Sequence, residues 1–260
     1  MILEVKNLTF AYDKNVVLKN LSFKLESPVV CSILGPNGIG KTTLIKCLLS
    51  IIKDFDGEIL LDDRTIDRIR RKDFYKYVSY VKQGGKENSI YTVLDTVLLG
   101  LASGINPLLK PKASDIEKAE EKLEELHIMH LRDKSVSHLS GGEAQMVYMA
   151  RALVKDPKII ILDEPESNLD YRNQLLVLDI IKGLKDKGQL IIFNTHYPDH
   201  ALRYSEKTLM LREDYKYIFG DTKEIITKEN IEDTFNIRAA VGELRDGNEI
   251  YRDIIPLSIR

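Results

Sequence analysis

The stretch GPNGIGKTT at residues 35–43 decides how this chain folds. It follows the run 29–34, which is apolar except for Ser32 and is typical of a strand buried on both faces of a parallel sheet. The mostly apolar residues 44–52 that come after it predict a helix. A strand, a glycine-rich turn and a helix in this order predict a loop whose backbone N–H groups, with the positive end of the helix, surround a phosphate.

This stretch also fits the pattern G-x-x-x-x-G-K-[ST]. The pattern predicts that Lys41 reaches the β- and γ-phosphates of a nucleotide and that the Thr42 hydroxyl coordinates Mg²⁺. The alternative is a glycine-rich turn before a helix, but the strand and the helix that the pattern requires are both predicted here. The residues expected to hold the nucleotide are Gly35, Pro36, Asn37, Gly38, Ile39, Gly40, Lys41, Thr42 and Thr43.

A second apolar run, residues 159–162, ends in Asp163 and Glu164. Acids at the end of a buried strand lose hydration unless they meet a cation. We therefore expect Asp163 to face the metal and Glu164 to polarise an attacking water. The alternative is a pair of acids at a helix N-terminus, where the helix dipole favours negative charge.

A third motif, LSGGE, occupies residues 139–143. Ser140 and Glu143 have the spacing of a capping box, which predicts that a helix begins here. Capping does not explain Gly141 and Gly142, because glycines are costly inside a helix. They would let the phosphate of another molecule approach the backbone. The two interpretations are compatible.

Composition limits the class of protein. The 260 residues are 43% hydrophobic and 30% charged with a net charge of −2, which predicts a globular protein of one or two domains that does not bind nucleic acid. No apolar stretch approaches the roughly 18 residues of a membrane helix, and Glu4 and Lys6 interrupt any signal peptide. Cys31 and Cys47 lie in apolar runs and are expected to be buried, reduced thiols.

The remaining pattern is that of an α/β chain. Strand, helix and strand at 158–162, 172–185 and 190–194 predict a parallel crossover. Helices are expected at 91–101 and 114–129, the second starting with capping-box spacing at Ser114 and Glu117. Asp246-Gly247 is a hairpin signal. Short strands are predicted at 2–5, 8–11, 16–18 and 21–25.

Together, the three motifs resemble the nucleotide-binding subunit of an ABC transporter, and residues 1–235 follow that family's order. Smaller matches are Tyr12 for the aromatic that stacks on adenine, Gln83 for the Q-loop, Asp170 for the D-loop and His196 for the switch histidine. The resemblance implies a P-loop NTPase (RecA-like) core with an N-terminal antiparallel β subdomain. It also implies an ABC ATPase domain over 1–235, an inserted α-helical subdomain at about 84–155 and a C-terminal β-hairpin extension over 236–260.

The resemblance further implies hydrolysis of ATP with Mg²⁺, in which Glu164, His196, Gln83 and Lys41 are catalytic and Thr42, Gln83 and Asp163 hold the metal. Two chains would form a head-to-tail homodimer. Each ATP would lie between the 35–43 loop of one chain and a second set of residues on the other chain, namely Ser140, Gly141, Gly142 and Asp170.

Within the family, stretches such as 96–101, 111–115 and 171–174 are similar to subunits of importers of metal chelates, meaning iron–siderophore, haem, cobalamin or molybdate. This likeness implies integral membrane permease subunits, indirectly a substrate-binding protein, and a peripheral place at the cytoplasmic face of the membrane. Residues 86–109 are expected to dock the permease, with Gly84-Gly85 as a hinge. The alternatives are an importer of another cargo and a soluble ABC ATPase of iron–sulfur cluster assembly.

Overall fold

The computed structural model describes residues 1–82, 90–101, 111–247 and 249–260. These residues form two compact units, the first made of Met1–Arg68 with Leu178–Arg260 and the second of Ile69–Val177. In the described ranges, no helix combines the length and the apolarity that a bilayer span would need.

Strands and helices alternate along most of the chain. In chain order they are β1 (Ile2–Tyr12), β2 (Asn15–Glu26), β3 (Val29–Leu34), α1 (Lys41–Leu48), β4 (Asp56–Leu61), β5 (Arg64–Thr65), α2 (Arg71–Tyr77), β6 (Val78–Val81), α3 (Val93–Leu98), α4 (Ala113–Glu125), α5 (Gly141–Leu153), β7 (Ile159–Asp163), α6 (Tyr171–Asp186), β8 (Leu190–Asn194), α7 (Pro198–Tyr204), β9 (Lys207–Leu211), β10 (Tyr217–Asp221), α8 (Thr222–Ile225), α9 (Lys228–Phe235), β11 (Ile237–Asp246) and β12 (Glu249–Ile259).

The N-terminal sheet of the first unit is antiparallel and has the order β2-β1-β4-β5. The prediction of four short strands at its start is wrong, because they merge into the two long strands β1 and β2. Asn7 and Asn20 adopt left-handed backbone with φ of 51° and 50°, and the β1–β2 register shifts between Val5 and Leu8. Asparagine tolerates this conformation, so each strand bends and continues where the apolar pattern breaks.

The second sheet of this unit has the order β10-β9-β3-β8. β3 lies between two parallel neighbours, β8 and β9, and all six of its residues are buried, as its apolar run predicted. Ile33 is in register with Asn194 of β8 and Leu209 of β9. The carboxyl ends of these three strands therefore lie side by side, the edge at which open parallel sheets bind ligands.

A group of four hydroxyls is packed against β3. The Ser32 hydroxyl lies 3.0 Å from that of Ser205 and 2.8 Å from that of Thr208. The Thr222 hydroxyl closes the ring, 3.2 Å from Ser205 and 2.9 Å from Thr208. Ser205 also donates to the carbonyl of Ala201 at 2.6 Å. The ring links β3 and β9 to α7 and α8.

β11 and β12 form an antiparallel pair that closes at Gly247, whose φ is 59°. The predicted turn at Asp246-Gly247 lies at this point. Ala239 of β11 belongs to an apolar cluster of the first unit, against which Ile254 of β12 packs. The cluster also contains Leu34, Ala201, Met210, Ile226 and Ile231. The β11–β12 pair is thus held against the rest of the first unit by apolar packing.

In the second unit β6 pairs in parallel with β7, and helices α3, α4 and α5 pack on one another. Gly100 permits a close crossing, since a Cβ there would lie 2.0 Å from the carbonyl oxygen of Arg151 in α5. The described part of the predicted helical block, 84–155, lies in this unit. α4 begins at Ala113, and the Lys112 N–H donates to Asp115 at 3.0 Å, so the predicted capping box of Ser114 with Glu117 is wrong.

Candidate active site

The loop after β3 excludes side chains at two glycines. Gly35 and Gly40 have φ of 149° and 112°, outside the conformations that other residues readily adopt. A Cβ on Gly35 would lie 2.6 Å from the carbonyl oxygen of Leu211, and one on Gly40 would lie 2.8 Å from Cγ1 of Val17. The loop therefore has no side chain at these two tightly enclosed positions, which leaves its backbone accessible to a phosphate.

Helix α1 starts directly from this loop without the usual caps. Its N-cap residue is Gly40, which supplies no side-chain hydrogen bond, and its first turn carries no acid. The first N–H groups of an α-helix have no partner within the helix and concentrate its positive charge. Thr42 is exposed on this turn, whereas Thr43 is buried. The start of α1 can therefore receive an anion beside an exposed hydroxyl.

Lys41 is folded back into the loop. It is only 5% exposed, and its Nζ donates to the carbonyl oxygens of Gly35 at 2.7 Å and Pro36 at 2.9 Å. The positive charge is thereby held against the same backbone that forms the cradle, where a phosphate would need it.

The first unit also positions Tyr12 and His196. Tyr12 ends β1, is 46% exposed and packs edge-on against Phe10, with 4.8 Å between ring centroids. His196 follows β8 and is partly buried. The buried Thr195 N–H beside it donates to the carbonyl of Ile33 at 3.2 Å. His196 therefore lies at the same sheet edge as the phosphate loop, while Tyr12 lies at the end of the antiparallel sheet.

In the second unit, β7 delivers Asp163 in a buried position, only 5% exposed. The Tyr80 hydroxyl of β6 donates to Oδ2 of Asp163 at 3.2 Å. Burial and the Asp163 carboxylate raise the pKa of Tyr80, so the phenol stays protonated and remains a donor. The sequence motifs do not predict this contact. It follows from the parallel pairing of β6 with β7, which places Tyr80 opposite Ile161, two residues before the acid.

Glu164 has left-handed backbone, with a φ of 47°, and is partly exposed. For a residue with a side chain this conformation costs about 1–2 kcal/mol. The Ser167 N–H donates to the Glu164 carbonyl at 3.1 Å, which closes a turn directly after the strand. The turn therefore holds Glu164, which is partly exposed, directly after the buried Asp163 at the carboxyl end of β7.

The predicted capping box at Ser140 and Glu143 is confirmed. The Ser140 N–H donates to Glu143 Oε2 at 2.8 Å, and the Glu143 N–H donates to Ser140 Oγ at 3.3 Å. Hydrogen bonds to the carboxylate, first from the Ser140 N–H and second from the Ser140 side chain, lower the pKa of Glu143. Further along the unit, Oδ1 of Asp170 accepts from the Asn173 N–H at 2.8 Å, at the start of α6. The second unit thus carries Ser140, Glu164 and Asp170, besides Asp163.

Several predicted positions lie outside the described residues, namely Gln83, Gly84-Gly85 and, within 86–109, residues 86–89 and 102–109. In the described part of the chain, no group of three or more His, Cys, Asp and Glu side chains could hold a metal ion. Cys31 and Cys47 are buried and unpaired with each other, and burial raises the pKa of both thiols to about 12, so neither forms a thiolate at neutral pH.

Comparisons with known proteins agree with this geometry. Residues 18–167 match the family model described as "ABC transporter". A Helicobacter pylori protein named as an iron chelatin transport ATP-binding protein is 38% identical over 89% of this chain and 91% of its own length. The molybdate import ATP-binding protein MolC of Haemophilus influenzae is 33% identical over 98% of this chain and 96% of its own.

Among solved structures, the chain is similar to a metal-chelate type ABC transporter in an inward-facing conformation. The TM-score is 0.87 and the sequence identity 32%, and the match covers 98% of this chain and 97% of that one. The likeness therefore extends over the fold as well as the motifs.

Proposed function

The chain belongs to the ABC transporter family and is an ATPase of that family, and on this premise we propose that it powers the import of a metal chelate through separate membrane subunits. The observation that carries the hydrolytic role is the partly exposed Glu164, held by a turn directly after the buried Asp163 at the end of β7. Similarity to proteins named for iron chelatin and molybdate supports the class of cargo.

ATP would be held mainly by the first unit. The enclosed backbone at Gly35 and Gly40, the start of α1 and the Lys41 ammonium supply donors and positive charge for the phosphates. Tyr12 offers an exposed ring on which adenine can stack. His196, at the carboxyl end of β8, is proposed to contact the γ-phosphate.

Mg²⁺ fits the donors that the chain supplies. The Thr42 hydroxyl and the Asp163 carboxylate are hard oxygen ligands, which Mg²⁺ prefers, and we propose the side-chain oxygen of Gln83 as a third. When bound, the ion would neutralise charge on the phosphates. The hydroxyl of Tyr80 holds Asp163 by its hydrogen bond, so the carboxylate keeps one orientation.

Glu164 is proposed to orient and polarise the attacking water. The active form would be a head-to-tail homodimer, in which Ser140, Gly141 and Gly142 of one chain meet the ATP on the 35–43 loop of its partner. Hydrolysis would then separate the two chains and reset the transport cycle. Asp170 would stand beside the partner's loop.

The permease is expected to dock on the segment 86–109. Within its described part, Ile90 is 91% exposed, and Tyr91 and Leu99 are also exposed. Exposed apolar groups of this kind are common at protein–protein contacts. Such docking would place the chain on the cytoplasmic face of the membrane, with a substrate-binding protein reached only through the permease. Co-purification with integral membrane subunits tests this, whereas recovery with soluble partners alone would favour the assembly ATPase.

Glu164→Gln tests the hydrolytic role. The variant should bind ATP and dimerise, because neither step uses the carboxylate charge, but its steady-state ATPase should fall far more than tenfold. Glu124→Gln, on the exposed face of α4, is the matched control and should keep wild-type activity. A Glu164→Gln rate within tenfold of wild type, about 1.4 kcal/mol of barrier, would remove Glu164 from this role.

A further inference from the structure

The two neighbouring glycines of the LSGGE motif have different surroundings. A Cβ on Gly141 would have nothing within 4 Å. On Gly142 it would lie 2.7 Å from Nδ2 of Asn173 and 3.2 Å from its Cγ, and the three nearest atoms all belong to Asn173. The Asn173 carboxamide thus occupies the space that a side chain at Gly142 would need.

Asn173 is itself fixed to the segment that precedes it. Its N–H donates to Oδ1 of Asp170 at 2.8 Å, and Nε2 of the next residue, Gln174, donates to the Leu169 carbonyl at 3.2 Å. The first turn of α6 and Asp170 therefore form one locally bonded piece. Through the contact with Gly142, this piece lies directly against the first turn of α5.

The start of α5 is rigid along its own axis, because Ser140 and Glu143 bond to each other's backbone. These bonds do not fix its sideways position, which depends on what packs against it. The carboxamide of Asn173, which fills the space beside Gly142, limits how far the start of α5 can move toward α6.

From this geometry we propose that Asn173 is a positioning residue for hydrolysis: it holds the Ser140–Gly142 backbone and Asp170 in one fixed arrangement, so that both meet the partner's ATP together. The proposal rests on the proposed function, in which each ATP lies in a composite site formed by the 35–43 loop of one chain and the LSGGE motif of the other. In this arrangement the absence of a side chain at Gly142 also leaves the space that Asn173 occupies.

A double substitution tests the steric part. Gly142→Ala should lower the kcat for ATP at least tenfold, because the new methyl displaces Asn173. Asn173→Ala should lower kcat severalfold with little change in KM, since ATP is held by the other chain's loop. The double variant should recover to the level of Asn173→Ala, because the smaller side chain leaves room for the methyl. Gly141→Ala is the control and should gain nothing from Asn173→Ala.

A double variant no faster than Gly142→Ala would overturn the proposal, because the glycine would then be needed by the phosphate itself. Recovery of the thermal midpoint without recovery of kcat would also overturn it, since the contact would then only stabilise the fold. If the wild-type chain hydrolyses no ATP, the proposed function fails, and this result is distinct from a failure of rescue.

A mixed dimer separates positioning from general damage. A Lys41→Ala chain supplies the intact LSGGE motif, and a Ser140→Arg chain supplies the intact loop, so one composite site remains. Asn173→Ala should reduce ATPase activity when it is placed in the Lys41→Ala chain and have little effect in the Ser140→Arg chain. An equal loss in both placements would contradict a positioning role.

Discussion

The first turns of α1 and α5 are made in opposite ways, although both are expected to face the same phosphates. α1 starts at Gly40 with no side-chain cap and no acid in its first turn. α5 starts at Ser140 with a complete capping box and Glu143 in its first turn. The positive end of α1 is thus left for a ligand. The start of α5 instead forms part of its hydrogen bonds with the side chains of Ser140 and Glu143.

This difference indicates that the start of α1 serves to bind phosphate, whereas the start of α5 serves to present a preformed surface to it. An acid near a helix N-terminus stabilises the helix by about 0.3–1 kcal/mol but occupies the place of a bound anion. α1 forgoes that stabilisation, so its start gains most when phosphate is present. The capping box fixes the first turn of α5 without a ligand, so that Gly141 and Gly142 are held in one conformation. The phosphate loop would therefore bind ATP first, and the capped helix would complete the site.

The largest expected effect tests whether the two helix starts work in different chains. Lys41→Ala and Ser140→Arg chains should each be inactive alone, because each homodimer has two damaged sites. Their mixture should hydrolyse ATP, because each heterodimer retains one intact composite site. Steady-state ATPase of the mixture checks this, and an inactive mixture with proven heterodimers would contradict the composite site.

The second-largest effect is expected at Gly40, the uncapped start of α1. Gly40→Ala and Gly38→Ala both place alanine at a positive φ, which costs about 1–2 kcal/mol. Only at Gly40 would the new Cβ also meet Val17, at 2.8 Å, while Gly38 has nothing within 4 Å. Gly40→Ala should therefore lower the free energy of unfolding and weaken ATP binding more than Gly38→Ala. Denaturant unfolding and nucleotide titration measure the two losses, and equal losses would mean that the enclosure of Gly40 has no consequence.

A change at the capped start of α5 should lower the free energy of unfolding less than the change at Gly40. Ser140→Ala removes the N-cap oxygen and should lower the free energy of unfolding by about 1 kcal/mol. Thr92→Ala is a matched control, since Thr92 and Asp95 form the same capping box at α3. Similar losses from the two variants are expected, and no loss at Ser140 would show that α5 does not depend on its cap.

The smallest effect is a pH dependence. Hydrogen bonds from Ser140 lower the pKa of Glu143 below its ordinary value of 4.5. Its contribution to stability is therefore present above that value and is lost as the pH falls through the lowered pKa. The difference in unfolding free energy between wild type and Glu143→Gln should shrink below about pH 4.5. A difference that does not change with pH would contradict a role for the charge of Glu143.

Patterns contained in a short segment predicted that segment's structure well. The apolar run that forms β3 and the capping box at Ser140 are of this kind. Ser114 has the same spacing, but a competing acid, Asp115, bonds to the Lys112 backbone and starts the helix earlier. Spacing alone does not distinguish between two overlapping capping patterns.

Contacts between distant segments could not be predicted in this way. Tyr80 reaches Asp163 only because β6 and β7 pair in parallel, and Asn173 reaches Gly142 only because α5 and α6 begin side by side. The left-handed backbone of Glu164 depends likewise on the turn that follows β7. The motifs identify the reacting groups, whereas their orientation comes from tertiary structure.

The four-hydroxyl ring behind β3 has more contacts than protons. Each hydroxyl carries one hydrogen, and Ser205 gives its own to the Ala201 carbonyl. Three hydrogens remain for four oxygen–oxygen contacts, so at most three of them are hydrogen bonds at any moment. Ser205 can then only accept within the ring, and any one of the four contacts can be the one without a hydrogen. The strand that carries the phosphate loop is therefore backed by three hydrogens that can be distributed over four contacts in four ways, while the oxygen atoms keep one arrangement.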